Sequence, residues 1–400
     1  MITRMIGGIL LITGSAIGGG ILALPIATSE LGFVNSSILL FFCWFIMTVS
    51  ALLILEVTLW LPRNTNIISM AKVTLGPLGQ LVAWIVYLLL LYSLLAAYIA
   101  GGSDFFQNLF DLAHINLPHW SVAGIFTLVL GYVVYLGINA VDYANRGLMI
   151  VKFVTFFLLI CLIFSHLSLD KLAGGQMTYI TSGVTVALTS FGYATIIPSL
   201  RNYFNDDVKK LRAVILIGSL IPLICYIAWD MTVMGVIPRE GSEGLIGMLH
   251  SNRSTSEFVN QLSVILNREL ITSLAHIFTS ICLLTSFIGV ALCLVDFLAD
   301  GFQVDKKGRM NFLVCITAMI PPLLIVLFNP GIFIAALSYA GIYCVILLIV
   351  LPTLMVWRGR YHKNIAKGYK VFGGKLMLVL LLVISVLIII QSLAGSFLRA

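Results

Sequence analysis

The chain has 400 residues, of which 60% are apolar and only 10% are charged, and its mean hydropathy is +1.09. A soluble domain carries about 25% charged residues on its surface, so this composition excludes a soluble protein. The apolar residues come in blocks of about twenty, the length that crosses a hydrocarbon core of roughly 30 Å. The composition therefore predicts an all-α polytopic membrane protein surrounded by the lipid bilayer.

Eleven apolar blocks predict eleven transmembrane helices. The predicted spans are about 5–30, 34–60, 80–102, 120–138, 147–166, 178–200, 212–236, 271–299, 311–328, 331–357 and 374–397. We expect a single transmembrane domain over residues 1–400.

The distribution of basic residues predicts the orientation of the chain. With a cytoplasmic N-terminus, eighteen of the 23 Lys and Arg residues lie inside: Arg4, Arg63, Lys72, Arg146, Lys152, Arg201, Lys209, Lys210, Arg212, Lys306, Lys307, Arg309, Arg358, Arg360, Lys363, Lys367, Lys370 and Lys375. The other five lie outside: Lys171, Arg239, Arg253, Arg268 and Arg399. The net charge of +7 thus reflects membrane topology and not a nucleic-acid partner. Eleven spans then place the C-terminus outside.

Several classes of site have no support in the sequence. The seven cysteines all lie in apolar blocks without CxxC spacing, so neither a disulfide framework nor a metal site is predicted. The six histidines are scattered, which leaves an integral membrane enzyme as a remote alternative. A channel is disfavoured because no charged ring or filter-like loop is present. No GxxxxGK[ST] loop occurs, and we expect no cofactor and no obligate protein partner.

The first span contains a dense glycine cluster, Thr13-Gly14-Ser15-Ala16-Ile17-Gly18-Gly19-Gly20, followed by Pro25. Each glycine costs about 1 kcal/mol relative to alanine inside a helix. Unwound backbone is tolerated at membrane depth only where it is buried in protein or lines a cavity. The cluster therefore predicts a break in the first helix.

The sixth span has a second candidate interruption, Thr189-Ser190-Phe191-Gly192-Tyr193-Ala194, with Pro198 five residues after Tyr193. The first and sixth spans correspond if spans 1–5 and 6–10 are two repeats, and an odd number of spans inverts the second repeat. The predicted repeats cover about 5–166 and 178–357, with an extra helix at 374–397. Paired interruptions in inverted halves indicate a transporter binding site near the bilayer midplane.

Two facing helix breaks suit an α-amino acid as substrate. Half-helix N-termini favour a carboxylate, and unwound carbonyls or half-helix C-termini favour an ammonium group or a cation. Glycine permits the close approach of the substrate backbone. The predicted substrate-binding residues are Ser15, Ala16, Gly18, Gly19, Gly20, Ser190, Phe191, Gly192, Tyr193 and Tyr92, with the three aromatic residues placed around the substrate side chain.

At these residues the chain resembles the bacterial aromatic (hydroxy/aromatic) amino acid permeases, especially the tyrosine-specific branch. The resemblance is carried by Gly14-Ser15-Ala16-Ile17-Gly18-Gly19-Gly20-Ile21-Leu22-Ala23-Leu24-Pro25, Ser190-Phe191-Gly192-Tyr193 with Pro198-Ser199, Leu55-Glu56-Val57-Thr58-Leu59-Trp60, Ala97-Tyr98-Ile99-Ala100-Gly101-Gly102 and Asp296-Phe297-Leu298-Ala299-Asp300-Gly301. It implies the five-plus-five inverted repeat of the leucine-transporter type, and cation-coupled uptake of tyrosine or a related amino acid across the bacterial inner membrane. Ala194 and Asp230 depart from it, since a histidine and a glutamine are usual there.

Lys152 is the sharpest candidate for ion coupling, because a charged group inside a span costs about 2.5 kcal/mol or more. It either extends to the inner interface or carries a proton in place of a sodium ion. The resemblance implies a cation site between the first break and the eighth helix, where Thr285 and Ser286 offer hydroxyls to sodium or to the lysine.

The predicted function is proton-coupled symport of an aromatic amino acid, most simply tyrosine, by alternating access. One proton entering down about 150 mV gives about 3.5 kcal/mol, enough for roughly 300-fold accumulation of a zwitterion. The alternative is sodium-coupled symport of another neutral amino acid, such as tryptophan, phenylalanine or serine, because a tenfold preference needs only about 1.4 kcal/mol.

Three polar features lie outside this predicted site. Ser254 and Glu257 have capping-box spacing before an apolar helical face, which predicts a short helix in the long outer loop. Glu56 is expected to pair with a cytoplasmic basic residue. Asp230 lies deep in the seventh span, and the sequence assigns it no partner.

Overall fold

The computed structural model describes residues 2–63, 65–241, 243–249, 251, 253–266, 268–304 and 308–399, and these residues are almost entirely helical. Lys306 and Lys307, which were counted on the predicted inner side, lie outside the described residues. No strand occurs in the described ranges. The predicted all-α class is therefore confirmed.

The first half of the chain forms nine helices. They are α1 (Ile2–Ala16), α2 (Gly20–Ala27), α3 (Gly32–Leu59), α4 (Ile67–Leu75), α5 (Pro77–Leu112), α6 (His119–Tyr135), α7 (Ile138–Phe164), α8 (Leu169–Leu172) and α9 (Ile180–Ser190). Short 3₁₀ turns at Ser29–Leu31 and Met177–Tyr179 precede α3 and α9.

The second half adds nine more. They are α10 (Ile197–Tyr203), α11 (Val208–Met234), α12 (Leu245–Leu249), α13 (Ser254–Leu266), α14 (Glu269–Phe302), α15 (Gly308–Phe328), α16 (Phe333–Val345), α17 (Leu351–Tyr361) and α18 (Gly374–Arg399). A 3₁₀ segment, Gly192–Ile196, joins α9 to α10, and a π-helical segment, Ile346–Val350, joins α16 to α17.

Ten of the eleven predicted spans meet the length and apolarity of a membrane-crossing helix in the described part of the chain. Nine do so as continuous helical segments, and α1 with α2 does so as a pair bent by 51°. The predicted span 120–138 corresponds to α6, which is apolar but has only 17 residues, or about 26 Å at 1.5 Å per residue. Eleven spans and the two inverted repeats therefore stay predictions.

Contacts between loops and helix ends sort the molecule into two sides. On one side, Arg63 after α3 donates to Asp206 at 2.8 Å, and Arg358 of α17 donates to the Leu75 carbonyl at 2.8 Å. This is the side predicted to face the cytoplasm. On the other side the backbone N–H of Ser256 in α13 donates to Asp104 of α5 at 2.9 Å. The predicted outer-loop helix is thus present as α13, with its apolar face buried against α14 and α5.

The interrupted helices lie at the centre of the molecule. α1 packs on α11, and α2 packs on α9, so the two broken helices meet. α14 contacts α7 and α5, while α16 contacts α5 and α9. α2 is apolar on every side and all eight of its residues are buried, as expected for a helix enclosed by other helices. This packing brings α5, α7, α11, α14 and α16 to the two breaks.

Candidate functional site

The first helix is broken where its glycine cluster predicts. α1 ends at Ala16 and α2 begins at Gly20, which leaves Ile17, Gly18 and Gly19 outside regular α-helix. The N–H of Ile21 donates to the Gly18 carbonyl at 3.3 Å, so the chain re-enters helix through a tight turn. The predicted interruption of the first helix is confirmed, and it places half-helix ends and unwound backbone in the interior.

The second interruption has a different backbone. α9 ends at Ser190, and the chain continues through a turn at Phe191 and the 3₁₀ segment Gly192–Ile196 before α10 starts at Ile197. Pro198 sits in the first turn of α10, where its missing N–H has no partner to lose. Here the helix tightens without opening, so the predicted break of the sixth helix is a 3₁₀ segment within one span and not an unwound stretch.

Tyr226 of α11 joins the two breaks. Its hydroxyl lies 2.7 Å from the carbonyl of Ala16 and 2.9 Å from that of Ser190, and its single proton is shared between the two acceptors. The side chain is fully buried, and its ring packs edge-on against Phe191. Both carbonyls end a helix, so the hydroxyl satisfies groups that have no partner within their own helices.

Lys152 of α7 reaches the unwound backbone of the first break. Its Nζ donates to the Ile17 carbonyl at 2.7 Å and lies 3.4 Å from the Thr285 Oγ1 of α14. The side chain is 1% exposed, and no carboxylate is within ion-pair distance among the described residues. Lys152 therefore does not extend to the interface, which was one of the two interpretations of its position.

Ser286 binds the same break from the opposite side. Its hydroxyl accepts from the Gly19 N–H at 2.7 Å and also hydrogen-bonds the Tyr98 side chain of α5. A Cβ on Gly18 would lie only 2.7 Å from the Ser286 Oγ, so glycine is needed for this approach. The structure thus brings all three predicted ion-coupling residues to one break.

A cavity of about 330 Å³ lies between the two breaks. This volume is within the range of about 300–1,000 Å³ that is typical of small-molecule sites. Nine of the predicted site residues line it: Ser15, Ala16, Gly18, Gly20, Ser190, Gly192, Lys152, Thr285 and Ser286. The residues that two distant sequence motifs proposed for one site therefore share one cavity.

Four predicted substrate-binding residues do not line this cavity. Gly19 turns its N–H to Ser286, and Phe191 packs against Tyr226. The Tyr193 hydroxyl is 3.1 Å from the Thr48 Oγ1 of α3. The Tyr92 hydroxyl donates to the Thr317 carbonyl of α15 at 3.0 Å. The three aromatic rings are placed elsewhere because side-chain direction follows the local helix phase.

The aromatic lining comes instead from Tyr87 and Tyr98 of α5, which the sequence analysis did not select. Together with Leu91 and Leu94 they have the spacing i, i+4, i+7 and i+11, which places them on one face of a helix. Tyr92 is on a different face. This periodicity is the sequence signal that could have identified Tyr87 and Tyr98. It becomes usable only when one residue of this helix face is already known to line the site.

One face of α7 contributes Asn145 and Met149 together with Lys152, again with the spacing of a single helix face. Leu10 and Leu11 of α1 line the cavity on the same side of the molecule. The cavity therefore extends from the breaks toward the side that carries the N-terminus of α1. On the other side, rings of α7, α11, α13 and α14 pack together and close the molecule: Phe156, Trp229, Phe258 and Phe278.

Glu56 has the structural role that the sequence predicts. Its carboxylate accepts two hydrogen bonds from Arg360 of α17, one of them at 2.7 Å from the Arg360 Nε. It also accepts the Val371 N–H at 2.7 Å. This buried pair ties α3 to α17 and to the segment before α18, far from the cavity.

The fold and the site define a class of protein: a multi-pass membrane protein with a small-molecule cavity between two interrupted helices, an arrangement typical of secondary transporters. Residues 1–392 match the model of the tryptophan/tyrosine permease family, and the chain belongs to that family. The family resemblance drawn from the sequence motifs is thereby confirmed.

Three relatives from Haemophilus influenzae illustrate the similarity. The chain is 34% identical over 393 residues to "Tyrosine-specific transport system 2", covering 97% of this chain and 95% of the relative. It is 33% identical over 392 residues to "Tyrosine-specific transport system 1", covering 96% and 95%. It is 30% identical over 405 residues to a "Tryptophan-specific transport protein", covering 98% of this chain and 96% of the relative. These relatives are transport proteins, and permeases are not enzymes.

Proposed function

We propose that this protein is a secondary symporter that imports an aromatic amino acid, with tyrosine as the first candidate, by alternating access around the cavity between the two breaks. The observation that carries the proposal is this shared cavity. The carbonyl ends of α1 and α9 suit the substrate ammonium group, and the start of α2 at Gly20 suits its carboxylate. An amino acid zwitterion carries both an ammonium group and a carboxylate, so its site needs both kinds of helix end.

The substrate class is supported by two further observations. Relatives that match nearly the whole chain are named for tyrosine and tryptophan transport. The phenol rings of Tyr87 and Tyr98 and the side chains of Leu90, Leu91 and Leu94 line the cavity next to the breaks. An aromatic side chain is held by such a wall through apolar burial and ring contacts. We therefore propose that the substrate side chain lies against α5.

We propose that Lys152 carries the coupling proton. The ammonium form donates to the Ile17 carbonyl and lies beside Thr285, so it stabilises the unwound segment as a bound cation would. Loss of the proton removes this charge and weakens the hydrogen bond to the carbonyl, which loosens the first break. A proton that binds Lys152 from one side of the membrane and leaves toward the other therefore changes the stability of the first break. This change accompanies the change in which side of the membrane has access to the site.

The proposed location is the bacterial inner membrane, with the N-terminus in the cytoplasm and the C-terminus outside. This orientation is supported by the eighteen basic residues on the predicted inner side. With it, the cavity opens toward the cytoplasm, and the ring cluster around Trp229 closes the outer side.

The test is uptake of labelled tyrosine into proteoliposomes, with proton and sodium gradients imposed separately. The expected result is accumulation with an inward proton gradient alone, reduced by unlabelled tryptophan or phenylalanine. Accumulation with sodium alone would contradict proton coupling and leave Thr285 and Ser286 as sodium ligands. No tyrosine uptake under either gradient would overturn the substrate assignment, and a screen of neutral amino acids that includes serine would replace it.

A further inference from the structure

Three carboxyl groups are buried among the described residues, and they differ in their partners. Glu56 is paired with Arg360. Asp104 accepts from the Ser256 N–H and lies 3.4 Å from the Arg253 Nε. Asp230 of α11 is fully buried, and no cation is within ion-pair distance of it in the described ranges. Asp230 is therefore the exception that needs an explanation.

The hydrogen bonds of Asp230 are incomplete. Its Oδ2 lies 3.5 Å from the Ser36 Oγ of α3, and the hydroxyl of Thr28, the residue directly after α2, also contacts the carboxyl group. Its Oδ1 has no hydrogen-bond partner among the described residues. Both hydroxyls have acceptors in their own helices, at 2.8 Å from Thr28 to Leu24 and at 3.0 Å from Ser36 to Phe33.

Proton counting favours the neutral form of Asp230. Each hydroxyl has one proton, and that proton has both a helix carbonyl and the carboxyl group as acceptors. An ionised carboxylate would have to share these two protons with the carbonyls, and its negative charge would have no cation beside it among the described residues, which is costly at membrane depth. A carboxylic acid instead donates its own proton to a hydroxyl lone pair, and both hydroxyls keep their carbonyls.

We infer that Asp230 is a second proton-binding site of this protein, outside the substrate cavity, and that its carboxylic acid form holds the outer end of α2 against α11 and α3. The reaction at this site is simple binding of one proton to the carboxylate. The inference does not depend on which substrate the protein carries or on the role of Lys152.

The position of Asp230 along α11 explains what its proton would control. Tyr226 and Asp230 are four residues apart and therefore lie on one face of α11. Tyr226 binds the Ala16 carbonyl before α2, and Asp230 contacts Thr28 at its far end. α11 thus fixes both ends of the outer half of the broken helix. Release of the proton would charge the carboxylate, draw in water and loosen one of these two attachments.

Other titratable groups lie on or beside the elements packed against α11. Lys152 of α7 donates to the Ile17 carbonyl, and Lys171 of α8 donates to the Val236 carbonyl at 2.5 Å. Glu30 is in the 3₁₀ turn after α2, and its own carbonyl accepts from Gln176. Glu56 is at the opposite end of α3. None of them is recorded within ion-pair distance of Asp230 in the part of the chain that is described.

Infrared spectroscopy of the purified protein tests the protonation directly, since a buried carboxylic acid has a carbonyl stretch distinct from that of a carboxylate. The expected result near neutral pH is such a band in the wild type and in Lys152→Ala, and its loss in Asp230→Asn. Ser36→Ala should shift the band, because one hydrogen-bond partner is removed. A wild-type spectrum without the band, or an unchanged band in Asp230→Asn, would overturn the inference.

Hydrogen exchange of the backbone of α2 tests the structural consequence and needs no substrate. Asp230→Asn keeps a neutral side chain at every pH, so it controls for the intrinsic effect of pH on exchange. Once Asp230 titrates, the wild type should lose protection of residues 20–31 relative to Asp230→Asn by up to about tenfold per pH unit. Equal protection in both proteins up to the highest pH at which they stay folded would contradict the proposed attachment of α2.

Discussion

The two breaks begin from similar sequence, glycine and small polar residues followed by a proline, yet they differ in how their backbone is supported. The first is held by side chains from other helices: Lys152, Ser286 and Tyr226 bind its backbone groups. The second is a 3₁₀ segment that continues directly into α10. The first break therefore depends on tertiary contacts to its unwound backbone, whereas the second combines the local hydrogen bonds of its 3₁₀ segment with the Tyr226 hydroxyl at the Ser190 carbonyl.

The space around the two glycines shows the same difference. A Cβ on Gly18 would come 2.7 Å from the Ser286 Oγ, but a Cβ on Gly192 would meet only the Cys344 Sγ at 3.7 Å. A backbone bound by a cation and hydroxyls can respond to a change of charge, while an open wall can accept a ligand. The comparison predicts that the backbone of the first break is the one that responds to a change of charge or to an added side-chain atom, and the following variants test it.

Lys152→Ala should have the largest effect. Without the coupling proton, accumulation of tyrosine should fall from roughly 300-fold to near equilibrium, while exchange of internal for external substrate is partly retained. Uptake and exchange in proteoliposomes measure the two. Lys171→Ala is the matched control, since Lys171 also donates to a carbonyl but lies away from the cavity. Normal accumulation by Lys152→Ala would show that the proton is carried elsewhere.

Gly18→Ala against Gly192→Ala is the next test. The added methyl group at residue 18 must displace Ser286, and such overpacking costs about 1–3 kcal/mol, which predicts a loss of tyrosine affinity between about fivefold and about 150-fold. The methyl group at residue 192 has room, so affinity should change by less than about twofold. Equilibrium binding to the purified protein measures both. Equal losses would remove the distinction between the breaks.

Tyr226→Phe should weaken the link between the breaks. It removes the hydroxyl shared by the Ala16 and Ser190 carbonyls, at a cost of about 1 kcal/mol, or about fivefold in substrate affinity. Tyr92→Phe removes a hydroxyl that binds the Thr317 carbonyl outside the cavity and should leave affinity unchanged. The prediction fails when the two variants have the same affinity.

The smallest effect concerns the anchor of α10, on the far side of the second break. Arg201 hydrogen-bonds Asp206 and the Leu61 carbonyl. Hydrogen bonds from Arg201, and to a smaller extent from Arg63, hold the pKa of Asp206 below its usual value of about 3.9. A lowered pKa contributes stability above the unfolded value, and this stability is lost as the pH falls through the folded one.

Asp206→Asn should therefore lower the thermal stability by at most about 1 kcal/mol at neutral pH, and this difference should vanish in acid. Asp170→Asn, in the short helix α8 on the other side, is the control for the exchange of one carboxylate for an amide. A difference between Asp206→Asn and wild type that persists in acid would mean that the carboxylate charge is not its origin.

The sequence by itself determined the class of protein, the break in the first helix and the family. Apolar length and glycine density act locally, so their consequences can be predicted without knowing what packs against them. The sequence also predicted that Glu56 pairs with a basic residue, although not which one, because an isolated charge at that depth is costly. Lys152 was selected for the same reason, and Thr285 and Ser286 were selected from the family resemblance; all three meet at the first break.

Only the tertiary structure decided which other side chains reach the breaks. Tyr226 is more than 200 residues from Ala16 and about 36 from Ser190, and no spacing rule connects the three. The predicted ring positions at Tyr92 and Tyr193 lie away from the cavity because a residue's direction depends on the phase of its helix and on the partner its hydroxyl finds. The charge state of Asp230 depends in the same way on three helices together, because hydrogen-bond partners are counted in space and not along the chain.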